Sequence, residues 1–360
     1  MFTIFAKYAL VGHSLKIKKD IHVIIDPPTI YKISSTNTVG PVIKTEVLMP
    51  SLINSHTHVA DYFLRDKINV RDVEVLFGRD GLKLHELNNA EDETIIKSIK
   101  SALSAMLKSG TTTFCDFREG GLKGIRLMKE ALRGSPLHAE ILSRPISSQF
   151  DDNEILSLLR ESSGLGVRSI NDFSDSKCQT LRALAKEKLF ATHVGETKDV
   201  IFESVQKYGK SDLARAEMYG VDFVVHAIFN EPKAQIPVVF CLRSNLKTKV
   251  GLPKIKEYLK EKRCIALGTD NLMLNDANLF FEMQAVEKTY SINPKEILKM
   301  VTVNPKTILQ QKRGVIKTGY IADLLLLSDV DINSIYRSII YDSRITEVYC
   351  GGIKTTLCNT

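Results

Sequence analysis

Two histidines separated by a single residue, His56 and His58, end the apolar run that begins at Val47. In a β-strand successive side chains alternate between faces, so both imidazoles point to one face and Thr57 points to the other. Two imidazoles on one face can share a metal cation. Two polar residues in an edge strand would show the same spacing, so the pair has to be weighed with the rest of the chain.

Three further polar residues end later apolar runs: His193, His226 and Asp270. Imidazoles and a carboxylate around one point are good ligands for zinc or ferrous iron and leave a position for water. A metal in such a site lowers the pKa of that water to ~7, so hydroxide becomes available at neutral pH. Glu196 follows His193 closely and is placed to act as a general base. Together these residues predict a hydrolytic metal centre.

A repeating unit that could bring these residues together begins near residue 48. Strand-like runs alternate with helix-like segments, which predicts an α/β fold with a parallel sheet and right-handed crossovers. Eight such strands close a (β/α)8 TIM-type barrel, and functional groups of that barrel lie at the C-terminal ends of its strands. The runs are "VLMPSLINSH", 111–117, 137–145, 164–172, 188–196, 221–228, 236–245 and 263–271.

The segments flanking the barrel differ from it. Residues 1–47 contain short strand-like runs without helices, and residues 318–360 contain more. We predict that the two ends form one small β-sandwich-like domain beside a barrel of residues 48–317. Within the barrel, a first helix is predicted between Asn89 and Gly110 after a loop of about thirty residues, with Asn89 as its cap.

Composition and charge exclude several classes of protein. The chain has 360 residues, 44% hydrophobic and 25% charged, which does not fit a disordered or fibrous protein. The net charge of +7 comes from lysines scattered through amphipathic stretches, so no nucleic-acid partner is predicted. The sequence shows neither a signal-peptide core nor a run of ~18 apolar residues, which indicates a cytoplasmic protein without a membrane partner. Widely spaced cysteines are predicted to be free thiols: Cys115, Cys178, Cys241, Cys264, Cys350 and Cys358.

The motifs that carry these residues resemble those of the amidohydrolase superfamily. "PSLINSHTH", "THVGET", "VVHAI" and "LGTDN" occur in the order and at the strand positions of that superfamily. "NPKTILQ" followed by "GYIADLLLLS" looks like its C-terminal signature. The His193 and Glu196 arrangement is similar to that of the metal-dependent aminohydrolase branch, which includes cytosine deaminase, S-adenosylhomocysteine deaminase and the chlorohydrolases of triazine degradation.

This resemblance implies a role for each residue of the set. His56, His58, His193 and Asp270 would hold one divalent metal, zinc in preference to iron. Glu196 would move a proton from the attacking water to a ring nitrogen, His226 would polarise the attacked centre or the hydroxide, and Asp270 would also accept a proton. Members with two metals bridge them through a lysine or glutamate at the end of the fourth strand. Here that strand ends in "RSINDF", so one metal is expected.

Three arginines that follow strands, Arg118, Arg144 and Arg243, suggest a substrate contact. Guanidinium groups bind carboxylate or phosphate through paired hydrogen bonds, which suggests an anionic or highly oxygenated substrate. Pairing of these arginines with acids at the barrel mouth, such as Glu119, is an equally good explanation. The other predicted substrate contacts are Asp172, Asn245 and Asn271.

The favoured hypothesis is a hydrolytic deaminase that releases ammonia from a nucleobase, nucleoside or pterin-like heterocycle. A cyclic amidase or a chlorohydrolase could use the same site, and a catalytically silent scaffold is the alternative from another class. A homodimer is left open by the sequence. The segment "VADYFLRD", directly after His58, starts the loop that we expect to cover the pocket.

Overall fold

The computed structural model of the chain describes residues 1–65, 67, 72–78, 81–230 and 235–356. Within them the strands form a nine-stranded and a seven-stranded sheet.

The strands are β1 (Phe2–Val11), β2 (Lys16–Asp26), β3 (Thr29–Ser34), β4 (Val42–Pro50), β5 (Leu52–His58), β6 (Thr111–Arg118), β7 (His138–Ser143), β8 (Gly164–Ser169), β9 (Leu189–Val194), β10 (Phe223–His226), β11 (Val238–Phe240), β12 (Ile265–Leu267), β13 (Asp270–Asn271), β14 (Leu324–Ser328), β15 (Arg344–Cys350) and β16 (Ile353–Lys354). The helices are α1 (Val73–Phe77), α2 (Leu82–Asn89), α3 (Asp92–Lys108), α4 (Gly121–Leu132), α5 (Asp152–Glu161), α6 (Asp175–Ala185), α7 (Lys198–Tyr208), α8 (Asp212–Met218), α9 (Leu242–Thr248), α10 (Ile255–Lys260), α11 (Leu279–Tyr290), α12 (Pro294–Met300), α13 (Val303–Ile308) and α14 (Ile335–Tyr341). Short 3-10 turns span Val59–Leu64, Ile170–Asp172 and Ile332–Ser334.

The nine-stranded sheet closes on itself. Its order runs β12-β11-β10-β9-β8-β7-β6-β5-β13, and its neighbouring strands are parallel. Because β13 follows β12 after a break at Gly268 and Thr269, the two short strands occupy a single position, and β13 pairs with β5. The predicted (β/α)8 barrel is therefore confirmed, and each of the eight predicted runs contributes one strand position.

The interior of the barrel is packed with apolar side chains. Phe117, Phe223 and Val225 are buried there together with smaller residues from the other strands. A filled interior leaves open space only at the ends of the barrel, so a substrate has to bind at the mouth.

The second sheet draws its strands from both ends of the chain, in the order β16-β15-β14-β4-β1-β2-β3. The first predicted run proves to be two strands, because β4 belongs to this sheet and β5 to the barrel. The chain crosses between the sheets at Ser51, whose backbone N–H donates to the carbonyl of Asp323 at 3.0 Å. The domain boundaries at residues 47 and 318 stay a prediction.

The helix predicted from Asn89 to Gly110 is shorter than expected. It is α3, which runs from Asp92 to Lys108, with Glu91 at its cap position and no side-chain capping bond there. Asn89 is instead the last residue of α2, and its side-chain amide lies 3.0 Å from His85. The capping prediction was wrong because the expected loop after β5 contains two helices, α1 and α2, of which α2 ends only at Asn89.

The described residues bear on two further expectations, which concern membrane-spanning helices and the cysteine thiols. None of the helices described is both long and apolar enough to span a lipid bilayer. Four cysteine thiols are buried and free, Cys264 is partly buried and free, and Cys358 lies outside the described residues.

Candidate active site

His56 and His58 lie on the same face of β5, as strand alternation requires. Their ring centroids are 4.9 Å apart. Thr57 between them faces the neighbouring strand, where its hydroxyl donates to the carbonyl of Cys115 at 3.1 Å. The two imidazoles are buried at the C-terminal end of the strand, so they meet at the mouth of the barrel.

His193, which β9 supplies from across the barrel, completes a triad with them. Its Nε2 lies 3.2 Å from Nε2 of His56. One nitrogen of each of the three imidazoles lies within 4.8 Å of the others, a spacing that suits a shared metal ion. Strands distant in sequence therefore bring three imidazole nitrogens to one point.

Asp270 adds a carboxylate oxygen to this triad. Its Oδ1 lies 3.3 Å from Nε2 of His56 and 3.7 Å from Nε2 of His58. The hydroxyl of Ser244 donates to Oδ2 of Asp270 at 2.5 Å, and the amide of Asn271 donates to Oδ1 at 2.9 Å. The carboxylate is therefore held in one orientation toward the imidazoles.

The break in the eighth strand is what allows Asp270 to come so close. A Cβ atom on Gly268 would lie 2.7 to 2.8 Å from atoms of His56, so only glycine lets the strand approach β5. Asp270 itself adopts a left-handed backbone conformation, with φ of 60°. Such a conformation is costly outside glycine and is typically retained where function requires it.

The protonation of the four groups suits a metal cation. Burial lowers the pKa of His56, takes that of His58 to about 3, and lowers that of His193 well below its usual value. Burial alone would raise the pKa of Asp270, but its hydrogen bond with His56 and the other imidazoles hold it well below the ordinary value. The site thus presents neutral imidazoles and one carboxylate.

The tautomers of two of these imidazoles follow from their neighbours. Nδ1 of His193 lies 2.9 Å from the carbonyl of Arg168, and Nδ1 of His58 lies 2.8 Å from a carboxylate oxygen of Glu119. A carbonyl or carboxylate oxygen accepts a hydrogen bond, so each Nδ1 carries the proton and each Nε2 keeps its lone pair. These lone pairs meet between the rings, and a divalent metal fits this donor set.

Glu196 and His226 stand beside the triad. Oε1 of Glu196 lies 3.8 Å from Nε2 of His226, and Nδ1 of His226 lies 3.2 Å from the side-chain oxygen of Asn245. Burial raises the pKa of Glu196, which brings the carboxyl group closer to the range in which it can both accept and donate a proton. His226 has a left-handed backbone conformation, with φ of 70°.

The turn that carries Glu196 is held by a hydrogen bond to a buried carboxylate. Gly195 has φ of 51°, and its backbone N–H donates to Oδ2 of the buried Asp212 at 2.6 Å. The side-chain amide of Asn230 donates to the other oxygen of Asp212 at 3.2 Å. Asp212 thus holds the turn after β9 in the conformation that presents Glu196.

A cavity of about 510 Å³ opens above these groups. Its walls include residues of α1 and α2, such as Phe77 and Leu87, so the segment after β5 covers the site as predicted. Asp66, the last residue of the stretch "VADYFLRD" that starts the predicted covering loop, lies outside the described residues. Three of the predicted substrate contacts line the cavity: Arg144, Asp172 and Asn271.

The other three predicted substrate contacts, Arg118, Arg243 and Asn245, do not line the cavity. Arg118 lies 3.3 Å from Asp116 and 2.5 Å from Glu119, and it is buried behind the cavity wall. Arg243 lies 3.9 Å from the buried Glu282. The expectation that three guanidinium groups face one pocket is therefore corrected: of the three, only Arg144 does so, and Asn245 supports His226 instead.

Comparisons with known proteins agree with this geometry. A sequence model of the amidohydrolase family matches residues 47–354. The chain belongs to the amidohydrolase family. An uncharacterized protein of Methanocaldococcus jannaschii is 34% identical over 340 residues, which is 89% of this chain and 88% of that protein.

Two further amidohydrolase comparisons come from proteins with a described activity. A 5-methylthioadenosine/S-adenosylhomocysteine deaminase of Thermococcus onnurineus is 26% identical, over 95% of this chain and 90% of that protein. The crystal structure of a zinc-bound adenosine deaminase from Xanthomonas campestris superposes with a TM-score of 0.85 and 20% identity, covering 98% of this chain and 92% of that chain. The latter supports the fold of the amidohydrolase barrel.

Sequence reasoning gave no site role to three charged residues of this amidohydrolase site, Lys83, Glu119 and Arg168, and named Glu119 only as a possible partner of the arginines. Lys83 and Arg168 line the cavity, and Glu119 contacts both His58 and Lys83. Burial by itself raises the pKa of Glu119, but Lys83, His58 and Arg118 together hold it well below the usual value. Glu119 directly follows β6, so the rule that strand ends carry function would have found it. Lys83 lies in a helix of the covering segment, where no such rule applies.

Proposed function

We propose that this amidohydrolase is a hydrolytic deaminase of a nucleobase, nucleoside or pterin-like heterocycle, and that it releases ammonia. One observation carries the proposal: a partly buried Glu196 with a raised pKa stands beside a set of three imidazoles and a carboxylate. A silent scaffold would have no reason to retain both.

His56, His58, His193 and Asp270 are the residues that would hold the metal, which we propose to be zinc. A divalent zinc ion in such a set makes hydroxide available near neutral pH. Neutral imidazoles and an ionised carboxylate are the protonation states in which these four groups can bind a divalent metal. The remaining chemistry is the movement of protons.

Glu196 is suited to carry a proton to the heterocycle. Its carboxyl group faces the cavity, and burial raises its pKa, so the protonated form is more accessible than in water. Protonation of a ring nitrogen makes the neighbouring carbon more electrophilic. The imidazole of His226, oriented by Asn245 at 3.2 Å, is placed to polarise the attacked centre or the hydroxide. Asp270 is placed to accept a proton during the same addition.

The substrate class is supported by two independent points. A cavity of about 510 Å³ falls in the range of small-molecule sites. The names of the relatives include a 5-methylthioadenosine/S-adenosylhomocysteine deaminase, which acts on a heterocycle with an exocyclic amine. Arg144, Asp172 and Asn271 are the polar residues of the cavity wall that we propose to contact the substrate.

The test is an ammonia-release assay of the zinc-loaded protein with panels of nucleobases, nucleosides and pterins. We expect ammonia from at least one amino-substituted heterocycle, and none from the same panel with the zinc-loaded Glu196→Gln variant. Hydrolysis of cyclic amides or release of chloride from chlorinated rings, without ammonia from any amine, would transfer the site to amidase or chlorohydrolase chemistry. A fully loaded protein that is inactive on all of these classes would contradict the proposal.

A further inference from the structure

Lys83 is a buried lysine that the proposed mechanism does not use. It lies on α2, in the segment that covers the cavity, and is only 6% exposed. Its Nζ lies 2.6 Å from Oδ1 of Asn271, 2.8 Å from Oε1 of Glu119 and 3.6 Å from Oδ2 of Asp61. The oxygens of Asn271 and Glu119 lie at hydrogen-bond distance from this ammonium group, whereas the oxygen of Asp61 lies beyond it.

Two of these partners touch different members of the proposed metal site. The same oxygen of Glu119 that contacts Lys83 lies 2.8 Å from Nδ1 of His58. The amide nitrogen of Asn271 donates to Oδ1 of Asp270 at 2.9 Å. Lys83 is therefore connected to His58 through Glu119 and to Asp270 through Asn271.

The contact with Asn271 has a definite consequence for the orientation of its amide. Lys83 can only donate hydrogen bonds, so the oxygen of the Asn271 amide has to face it. The amide nitrogen is then turned toward Asp270, where it donates to the carboxylate. With the opposite orientation, an amide oxygen would face the carboxylate oxygen of Asp270 and the two would repel each other.

The contact of Lys83 with Glu119 helps to orient His58, as the contact with Asn271 helps to orient Asp270. Nζ of Lys83 lies 2.8 Å from the same oxygen of the buried Glu119 that faces His58. With Glu119 held in this position, its oxygen accepts a hydrogen bond from Nδ1 of His58, which leaves Nε2 as the nitrogen that faces Asp270. Partners of this kind orient metal-binding histidines in many proteins.

We propose that Lys83 is a positioning residue that orders His58 and Asp270 together, and that it ties the covering segment to the metal centre. The inference rests on the proposed function only in that His58 and Asp270 are taken as metal ligands. Because Lys83 comes from α2, the metal site is complete when this part of the segment is in place over the cavity.

The first test compares zinc affinity in Lys83→Met and Lys97→Met, measured by competition with a coloured chelator. Lys83→Met keeps most of the side-chain length and removes the charge and the donors. Lys97→Met is the matched control, because Lys97 pairs with Glu93 on the exposed face of α3, away from the site. We expect Lys83→Met to bind zinc about 10- to 100-fold more weakly than wild type, and Lys97→Met to match wild type. Equal affinity in all three proteins would overturn the proposal.

A second measurement separates positioning of the ligands from a general loss of stability. The visible spectrum of the Co²⁺-loaded protein depends on the arrangement of the ligands, and we expect it to change in Lys83→Met but not in Lys97→Met. An unchanged Co²⁺ spectrum in Lys83→Met would count against a positioning role. These readouts need no substrate, so a failure to find ammonia release would leave them intact and would affect the proposed function alone.

Chemical rescue covers the case in which Lys83→Met does not fold. The Lys83→Ala variant is prepared with propylammonium, which replaces the missing chain and its charge, or with tetramethylammonium at equal ionic strength, which cannot donate hydrogen bonds. We expect propylammonium alone to restore zinc affinity. Equal effects of the two cations would mean that the donors of Lys83 are not required, and would overturn the proposal.

Discussion

Oε1 of Glu196 lies 3.8 Å from Nε2 of His226, although the two residues belong to the ends of neighbouring strands that are joined only through α7 and α8. A carboxyl group and an imidazole at this distance, both facing one cavity, can act together on neighbouring atoms of one small substrate. The parallel pairing of β9 with β10, in which Val194 is opposite His226, sets this distance. The predictions below follow from it and from the groups around it.

Replacement of Glu196 by glutamine should abolish turnover without loss of metal. The amide has nearly the same shape but cannot carry the proton, so we expect kcat to fall by about 10²- to 10⁴-fold. Zinc content, measured by elemental analysis, should stay at one ion per chain if the four proposed ligands suffice. Glu203→Gln, the same change on the exposed face of α7, is the control. An undiminished rate in Glu196→Gln would remove Glu196 from the mechanism.

The turn beneath Glu196 should tolerate no side chain at Gly195. With φ of 51°, an added Cβ would lie 1.8 Å from the side-chain oxygen of Asn230, so Gly195→Ala combines backbone strain with a clash. Gly209→Ala is a matched control, because Gly209 also has a positive φ, of 68°, but its Cβ would meet nothing within 4 Å. The control should cost about 1–2 kcal/mol in urea unfolding. Gly195→Ala should cost more and also lower kcat; equal losses in both variants would contradict the steric argument.

Two arginines with similar places in the sequence should respond differently to removal. Arg144 lines the cavity, so Arg144→Met should raise KM of the substrate found in the ammonia assay, with little change in melting temperature. Arg118 pairs with the buried Asp116 and Glu119, so Arg118→Met should leave buried charge unpaired and cost about 3–5 kcal/mol in unfolding. The reverse pattern would restore Arg118 to the list of substrate contacts.

A carboxyl group on α11 should make the protein less stable as pH rises. Burial raises the pKa of Glu282 to about 8, against the smaller opposing effect of Arg243. Between about pH 4 and that value the folded chain holds a proton that the unfolded chain has lost, so the free energy of unfolding falls as pH increases. Glu282→Gln removes this dependence and should raise the melting temperature relative to wild type near the upper end of that range.

The difference between Glu282→Gln and wild type should shrink toward the lower end of that range, because Glu282 is protonated there in both the folded and the unfolded chain. Glu287→Gln, on the same helix, removes a pair with Arg337 and serves as the control. A difference between Glu282→Gln and wild type that does not depend on pH would show that Glu282 is ionised in the folded protein.

Much of the barrel and of the proposed metal site could be predicted because both depend on local rules. Alternating runs identified the eight strand positions, and the polar residue types at their ends identified His56, His58, His193 and Asp270. The contact between His56 and Asp270 then follows from closure of the barrel, which is a property of the fold rather than of either segment.

The contacts made by long charged side chains could not be predicted, because they depend on the direction that each side chain takes from its strand or helix. Arg118 and Arg144 both follow strands, but Arg118 folds back onto Asp116, and no spacing in the sequence distinguishes the two cases. Lys83 was missed because it enters from a helix of the covering segment. The crossing between the sheets at Ser51 was missed because the apolar run continues through it without a change in composition.

The broken eighth strand also bears on how the protein folds. His56 and Asp270 are far apart in the chain and meet only where β13 pairs with β5, which is the contact that closes the ring of strands. Contacts between such distant segments are formed late and slowly in folding. A fragment that lacks either β5 or β13 would therefore lack part of the proposed metal-ligand set. Tight zinc binding would then show that the ring of strands has closed. The pairing of β13 with β5 would complete both the barrel and the proposed metal site.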